Sequence, residues 1–208
     1  VTGAFLVIEG PDGSGKTTQV ELLAARLRAR GLEVLTTREP GGTPLGQRLR
    51  VLLLDADGSP DPRTETLLLA ADRAEHVARV VRPALAAGRV VVSDRFVPSS
   101  LVYQGVGRGL GVVEVERLNR WATAGLDPDR VVVLDADPGL LAARRAGGDR
   151  LEREPPGFHQ AVRDAYRDLA AARGWRLVDA SGAPGDVAER VWAAVADRLG
   201  AAAGPGAR

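Results

Sequence analysis

The stretch Gly10-Pro11-Asp12-Gly13-Ser14-Gly15-Lys16-Thr17 has the spacing G-x-x-x-x-G-K-[ST], and the chemistry of that spacing is phosphate binding. Glycines let successive backbone N–H groups converge on phosphate oxygens, and a helix starting behind them adds the positive end of its dipole. Lys16 is placed to reach β- and γ-phosphates, Thr17 to offer its hydroxyl to Mg²⁺, and Thr18 to touch the α-phosphate. Gly10 through Thr18 therefore reads as a nucleotide triphosphate site. Guanine recognition usually needs Asn-Lys-x-Asp; the chain has no lysine beyond Lys16 and no asparagine beyond Asn119, which closes the GTPase route. An ATPase or a small-molecule kinase remains.

Lys16 carries a second signal. It is the single lysine among 28 basic residues, the rest being arginine. A guanidinium is a planar fork and an ammonium a compact point charge, so the two do not exchange where a small cation must nest in a loop. Asp94 closes the valine-rich run Val90-Val91-Val92-Ser93. Glu9, just before the loop, is either a support behind the metal or a plain strand-end carboxylate. Asp135 reads as structural, His76 and His159 have no partner motif, and Trp121, Trp175 and Trp192 read as core or interface. Tyr166, at helical spacing from Val162 and Leu169, reads as packing.

Elements must position these groups. Phe5–Ile8, Glu33–Thr36, Val90–Ser93, Val131–Leu134 and Arg176–Asp179 read as strands. Helices are expected over about 16–30, closed by Gly31, over 64–87 with Pro83 near its end, and over about 186–199 with Val187, Val191, Val195 and Leu199 on one face. Strand–helix alternation predicts an α/β fold: a five-stranded parallel sheet with helices on both faces, of the P-loop NTPase kind, binding ligands beyond the carboxyl ends of the strands. Residues 144–159, charged and rich in Gly and Pro, read as an Arg-rich loop or lid. One domain is expected over 1–200, with 201–208 a disordered tail.

Composition bounds the rest. A net charge of +1 argues against a protein that coats nucleic acid or an anionic surface. No apolar run approaches the roughly 18 residues of a membrane span, and no export signal opens the chain, so a cytoplasmic location is expected. Cysteine is absent, which excludes disulfides and thiolate metal sites. Methionine is absent even at position 1, so Val1 reads as a start-codon reading, a processed end or a boundary.

Beyond the phosphate loop, several short motifs arrive in a fixed order. They are Thr37-Arg38-Glu39-Pro40-Gly41-Gly42-Thr43, Ala70-Ala71-Asp72-Arg73, Asp94-Arg95-Phe96, Ser99, Tyr103-Gln104-Gly105 and Asp149-Arg150. With them the chain resembles the thymidylate kinases from Phe5 to about Leu199. The resemblance implies a nucleoside monophosphate kinase that moves the γ-phosphoryl group of ATP to dTMP with Mg²⁺, in line and without a phosphoenzyme, on the way to dTTP. It implies that Arg38 and Arg95 hold the acceptor phosphate, as two guanidinium forks suit a dianion. Arg73 would meet a thymine carbonyl, Ser99 or Ser100 the base N3 edge, Tyr103 the sugar and Gln104 the base or sugar. Asp12 would lie near the acceptor sugar and the metal held by Thr17 and Asp94. Leu69 stands where a phenylalanine commonly stacks on the base, and leucine offers no π-face; Phe96 is the alternative aromatic. Gly13 stands where one branch of the family has an arginine, so the catalytic cation is expected from the lid. Arg150 is the first choice and Arg145 the second, with Arg144 and Arg153 nearby. The family is generally homodimeric. The rival readings are a related kinase with another acceptor and a nucleotide-binding module without chemistry.

Overall fold

The computed structural model describes residues 3–54, 60–137, 139–141, 150 and 153–199. The five apolar runs form β1 (Phe5–Glu9), β2 (Val34–Arg38), β3 (Val90–Asp94), β4 (Arg130–Asp135) and β5 (Arg176–Asp179). They pair in the order β2-β3-β1-β4-β5, every pair parallel. This is the expected α/β sheet, and its register positions the site. Ile8 pairs with Asp94, Glu9 with Val133 and Arg38 with Asp94, so the carboxyl ends of β1, β2, β3 and β4 finish close to one level.

A strand buried on both faces needs apolar residues at successive positions, because alternate side chains enter opposite layers. Leu6 and Ile8 enter one layer with Val20, Leu23 and Leu27 of α1 (Lys16–Arg28) and with Val187, Val191 and Val195 near the chain's end. Phe5 and Val7 enter the other with Val91, Val131, Val133, Phe96, Val162 and Tyr166. A fully buried Val, Leu or Phe stabilises by roughly 1.5–3 kcal/mol, so the two layers hold β1 from both sides.

The other helices are α2 (Pro44–Leu54), α3 (Pro62–His76), α4 (Arg82–Ala86), α5 (Val97–Ser100), α6 (Val112–Ala122), α7 (Pro156–Arg173) and α8 (Pro184–Val195). Several sequence-based boundaries need correction. The helix expected over 64–87 starts earlier, with Asp61 capping the Arg63 amide at 2.9 Å and Pro62 in the first turn. It then runs through a π-helical turn, Val77–Val81, into α4. Pro83 is accommodated in the first turn of α4, where its missing N–H costs little. The expected lid is too long at its C-terminal side, because Pro155 and Pro156 open α7 rather than extend a loop. The sequence reading did not anticipate α2, α5, α6 or the π-helical turn Leu101–Gly107. Trp121 is 82% exposed and so is not core. Trp192 is partly buried against the core, with the Arg26 and Arg30 guanidiniums 4.4 and 4.3 Å from its ring. Arg144, Arg145, Asp149 and the tail 201–208 lie outside the described residues.

Candidate active site

The phosphate loop leaves β1 and enters α1 through Gly15, which caps the helix at φ 86°. That is a left-handed conformation an L side chain rarely adopts. Lys16 folds over the loop, its Nζ donating to Gly10 O at 3.0 Å and Pro11 O at 2.9 Å. Residues 12–19 line a cavity of about 520 Å³ together with Arg38, Asp94 and Arg95. Asp12, Gly13, Ser14, Gly15, Lys16, Thr17 and Thr18 thus share one surface, with Gly10 and Pro11 beneath the lysine. Gly182, Pro184 and Val187, at the start of α8, form its far wall.

Burial lowers the Lys16 ammonium to about 8, reinforced by Arg95 and only partly opposed by Asp12, Asp94 and Glu9. Phosphate favours the charged amine, so ATP affinity is expected to be flat up to about pH 7.5 and to fall above about pH 8, by up to about tenfold per pH unit. Calorimetric titration between about pH 6.5 and 9.5 reads this, and a flat affinity would contradict it. Folding stability moves the other way. The unfolded lysine keeps its proton up to 10.5, so deprotonation of the folded lysine stabilises the fold as pH rises from about 8.

Thr17 Oγ1 donates to Asp94 Oδ2 at 2.7 Å on the same cavity wall. One hydroxyl and one carboxylate are the hard oxygen donors Mg²⁺ takes when phosphates and water complete its octahedron. The residues fit that ion.

Arg95 follows Asp94 at φ 73°, a strained conformation for a residue with a Cβ. The surrounding contacts explain how it persists. Its Nη1 donates to Gly10 O (3.3 Å), Ser99 Oγ (2.9 Å) and Tyr166 Oη (3.4 Å), and its Nη2 to Asp12 Oδ1 and Tyr103 Oη (3.5 Å). Glu9 is fully buried behind it and accepts from the Phe96 amide at 2.8 Å, Ser99 Oγ at 2.6 Å and Tyr166 Oη at 2.8 Å. Glu9 therefore braces the Arg95 turn. Burial raises its carboxyl despite Arg95 and these donors. Burial opposes ionisation of Asp12 too, but there Arg95 and Lys16 prevail and hold it at about 2. Burial and Asp12 push the Tyr103 phenol well above its ordinary range, so it stays a donor, to Asp12 Oδ2 at 2.9 Å.

A second cavity, about 110 Å³, opens on the other side of Arg95. Leu69, Arg73, Arg95, Ser99, Tyr103 and Gln104 all line it, and Arg38 lines the adjoining phosphate cavity. Six of the seven residues expected at the acceptor thus line one cavity, and Arg38 does not. Arg38 is exposed at the end of β2 and has no partner among the described residues. The two serines divide: Ser99 Oγ serves Glu9 and Arg95, and Ser100 Oγ accepts from Arg73 Nη1 at 3.0 Å. Leu69 sits one helical turn before Arg73 on α3 and closes the cavity with an aliphatic side chain. Phe96 is fully buried against Phe5, at 4.9 Å between rings, and does not line the cavity.

Sequence reasoning missed three groups. Arg50 of α2 and Glu39 line both cavities, but α2 was not recognised and Glu39 was carried only as part of a motif. Tyr166 was read as packing, and its hydroxyl reaches Glu9, Ser99 and Arg95 from α7. Its helical spacing was the one signal present, and spacing does not say what a hydroxyl touches.

Arg150 lines neither cavity. Its Nη2 pairs with Glu65 and its Nε donates to Leu53 O at 3.3 Å. Glu65 is 1% exposed and also accepts from Gln104 Nε2 at 2.8 Å. Burial works against the Glu65 carboxylate, but Gln104, Arg150 and Arg108 lower it. The first choice for the lid cation is thus held by a buried carboxylate beside the acceptor cavity. Asp135, expected to be structural, pairs with Arg163 Nε at 2.7 Å.

The amino-acid sequence is similar to those of known proteins. The family model described as Thymidylate kinase matches residues 8–191. A thymidylate kinase of Synechococcus sp. (strain JA-2-3B'a(2-13)) is 51% identical over 197 residues, covering 94% of this chain and 95% of the relative. One from Bifidobacterium longum (strain DJO10A) is 49% identical over 94% of this chain and 96% of its own length. One from Deinococcus radiodurans is 47% identical over 94% of this chain and 98% of its own. By this family match and these identities, the chain belongs to the thymidylate kinase family.

Proposed function

We infer that the chain phosphorylates dTMP to dTDP with ATP as donor, and that Thr17 and Asp94 would hold the Mg²⁺ that accompanies it. The observation that carries this is the wall the two cavities share. Asp12, Glu39, Arg50 and Arg95 line both, so a donor γ-phosphate on one side faces an acceptor phosphate on the other. Bound Mg²⁺ would supply charge neutralisation on the transferring group. Arg95 and Arg38 hold the acceptor phosphate, Lys16 the donor's β- and γ-phosphates, and Asp12, held on Arg95, keeps the guanidinium aimed. No general base is needed, because the acceptor oxygen is already anionic and the chemistry is positioning plus charge stabilisation.

Arg73 reads the base, supported by its place on the acceptor cavity wall with Ser100 and Gln104. Tyr103 lies beside Asp12 where a 2′-hydroxyl would crowd it, which favours a deoxyribose. The lid cation is Arg145, a reading supported by the Glu65 anchor that holds Arg150. The active species is a homodimer. Supporting this is an exposed apolar face on α3 and α6, where Leu67 is 57%, Val113 60% and Trp121 82% exposed; the mass in solution tests it. Among the described residues no helix is long and apolar enough to cross a membrane.

A coupled assay of ADP release tests the function. With dTMP, dUMP, dCMP, dGMP and AMP as acceptors, dTMP is expected to give the highest kcat/KM, by about tenfold or more over every other. A higher kcat/KM with any other acceptor overturns the assignment of dTMP. ATP binding without turnover on any acceptor overturns the enzyme.

A further inference from the structure

Arg73 has five N–H donors. Nε donates to Glu39 Oε2 at 2.7 Å, Nη1 to Ser100 Oγ at 3.0 Å and to Asn119 Oδ1, and Nη2 to Phe96 O at 3.2 Å. Four of the five directions are fixed by the protein. One Nη2 N–H is left for whatever enters the cavity that Arg73 lines. A single free donor on a guanidinium that is 2% exposed can be selective only if the whole group is held still.

What holds it continues behind Glu39. The other carboxylate oxygen, Oε1, lies 2.8 Å from His76 Nδ1, and His76 Nε2 lies 2.6 Å from Thr37 Oγ1. A carboxylate only accepts, so Nδ1 carries the proton, and in the neutral ring Nε2 accepts from the Thr37 hydroxyl. The contacts form one line from Thr37 on β2, through His76 on α3 and Glu39 on the following loop, to Arg73. His76 has no exposed surface. A Cβ on Gly42 would lie 2.5 Å from His76 Cδ2, so the loop backbone rests directly against the imidazole. The Gly41 amide donates to Asp72 Oδ1 at 3.0 Å. Thr37 precedes Arg38 in sequence, so the same line ties the phosphate-side arginine to the base-side one.

We propose that His76, backed by Thr37 and acting through Glu39, is a positioning residue that aims the last free donor of Arg73 and so sets which bases the acceptor cavity accepts. This deepens the reading of Arg73 as the base contact and rests on it. Glu39 also lines the phosphate cavity, beside Arg38, Arg50 and Arg95. Without its imidazole partner the Glu39 carboxylate is free to turn toward those cations, which releases Arg73 Nε. A fixed N–H favours a carbonyl facing it and disfavours an amino group, which would bring two donors together. The selectivity at stake is therefore that between a pyrimidine with a carbonyl and one with an amino group.

The experiment compares Thr37→Val, His76→Leu, His76→Asn and Arg73→Ala by steady-state kinetics with dTMP, dCMP and ATP, alongside thermal unfolding. His76→Leu is expected to raise KM for dTMP about tenfold and to narrow the preference for dTMP over dCMP by a similar factor, with KM for ATP within about twofold. Thr37→Val, which keeps shape and folds even if the buried leucine does not, is expected to shift both in the same direction by about threefold. Asparagine keeps a donor near the Nδ1 position, so His76→Asn should recover most of the selectivity. Thermal destabilisation of the His76 and Thr37 variants with unchanged KM for dTMP and unchanged selectivity would mean a purely structural cluster and overturn the proposal. If Arg73→Ala raises KM while those variants do not, the base contact stands and the positioning role falls. If Arg73→Ala leaves both readouts unchanged, the base contact falls and takes the proposal with it.

Discussion

Arg95→Ala is expected to lower kcat about a thousandfold while ATP affinity stays within about threefold. The size follows from what the side chain touches. Its guanidinium stands on the wall common to both cavities and is aimed by Gly10 O, Ser99, Tyr166, Tyr103 and Asp12. Removing it takes the fork from the acceptor phosphate and leaves Asp12 facing two phosphate groups with Lys16 as the nearest cation, at 3.9 Å. Both losses fall on the transition state, where charge crosses between the phosphates, and so on kcat. ATP affinity depends chiefly on the loop amides and Lys16. Calorimetry for ATP and single-turnover kinetics for transfer separate the two, and a near-normal rate would remove Arg95 from the mechanism. Arg95→Lys is expected to recover little, since an ammonium cannot span the same acceptors.

The second large effect divides the lid arginines. Arg145→Ala is expected to lower kcat about tenfold or more at saturating substrates, with thermal stability unchanged. Arg150→Ala is expected to act on the fold instead. Glu65 would lose one charged partner, keeping Gln104 and Arg108, at a cost of about 1–3 kcal/mol. A lower Tm and a moderate rise in KM for dTMP, transmitted through Gln104, are the readouts. A larger kcat loss in Arg150→Ala than in Arg145→Ala, at unchanged Tm, would return the catalytic cation to Arg150.

The assignments fared differently for physical reasons. The strands and the two layers follow from local rules. A buried parallel strand must be apolar on both faces, and β1, β3 and β4 are. The last helix is legible because apolar residues recur every four positions along it, although it begins at Pro184 and gives way after Val195 to a 3-10 turn, Ala196–Arg198, not at Leu199. By contrast α6, amphipathic with Val115 and Asn119 buried, follows Gly-rich sequence that hides its start. The π-helical turn that carries Tyr103 and Gln104 into the cavity has no local signature at all. Pro155-Pro156 looked like lid and proved to be a helix start, because proline is equally at home in a loop and in a first helical turn.

The sequence by itself determined the phosphate loop, its single lysine, the parallel sheet and the family. Each is encoded in contiguous residues or in a motif order that survives without coordinates. Only the tertiary structure decided how these residues divide their work. Residues far apart in the chain had to meet before Glu9 and Tyr166 could brace Arg95, Glu65 could hold Arg150, and Thr37, His76 and Glu39 could line up behind Arg73. Those choices are made by buried hydrogen bonds that β1 and α3 make to distant parts of the chain. A buried carboxylate is committed by whichever donors the fold brings within 3 Å of it, and that is a property of the packing, not of the local sequence.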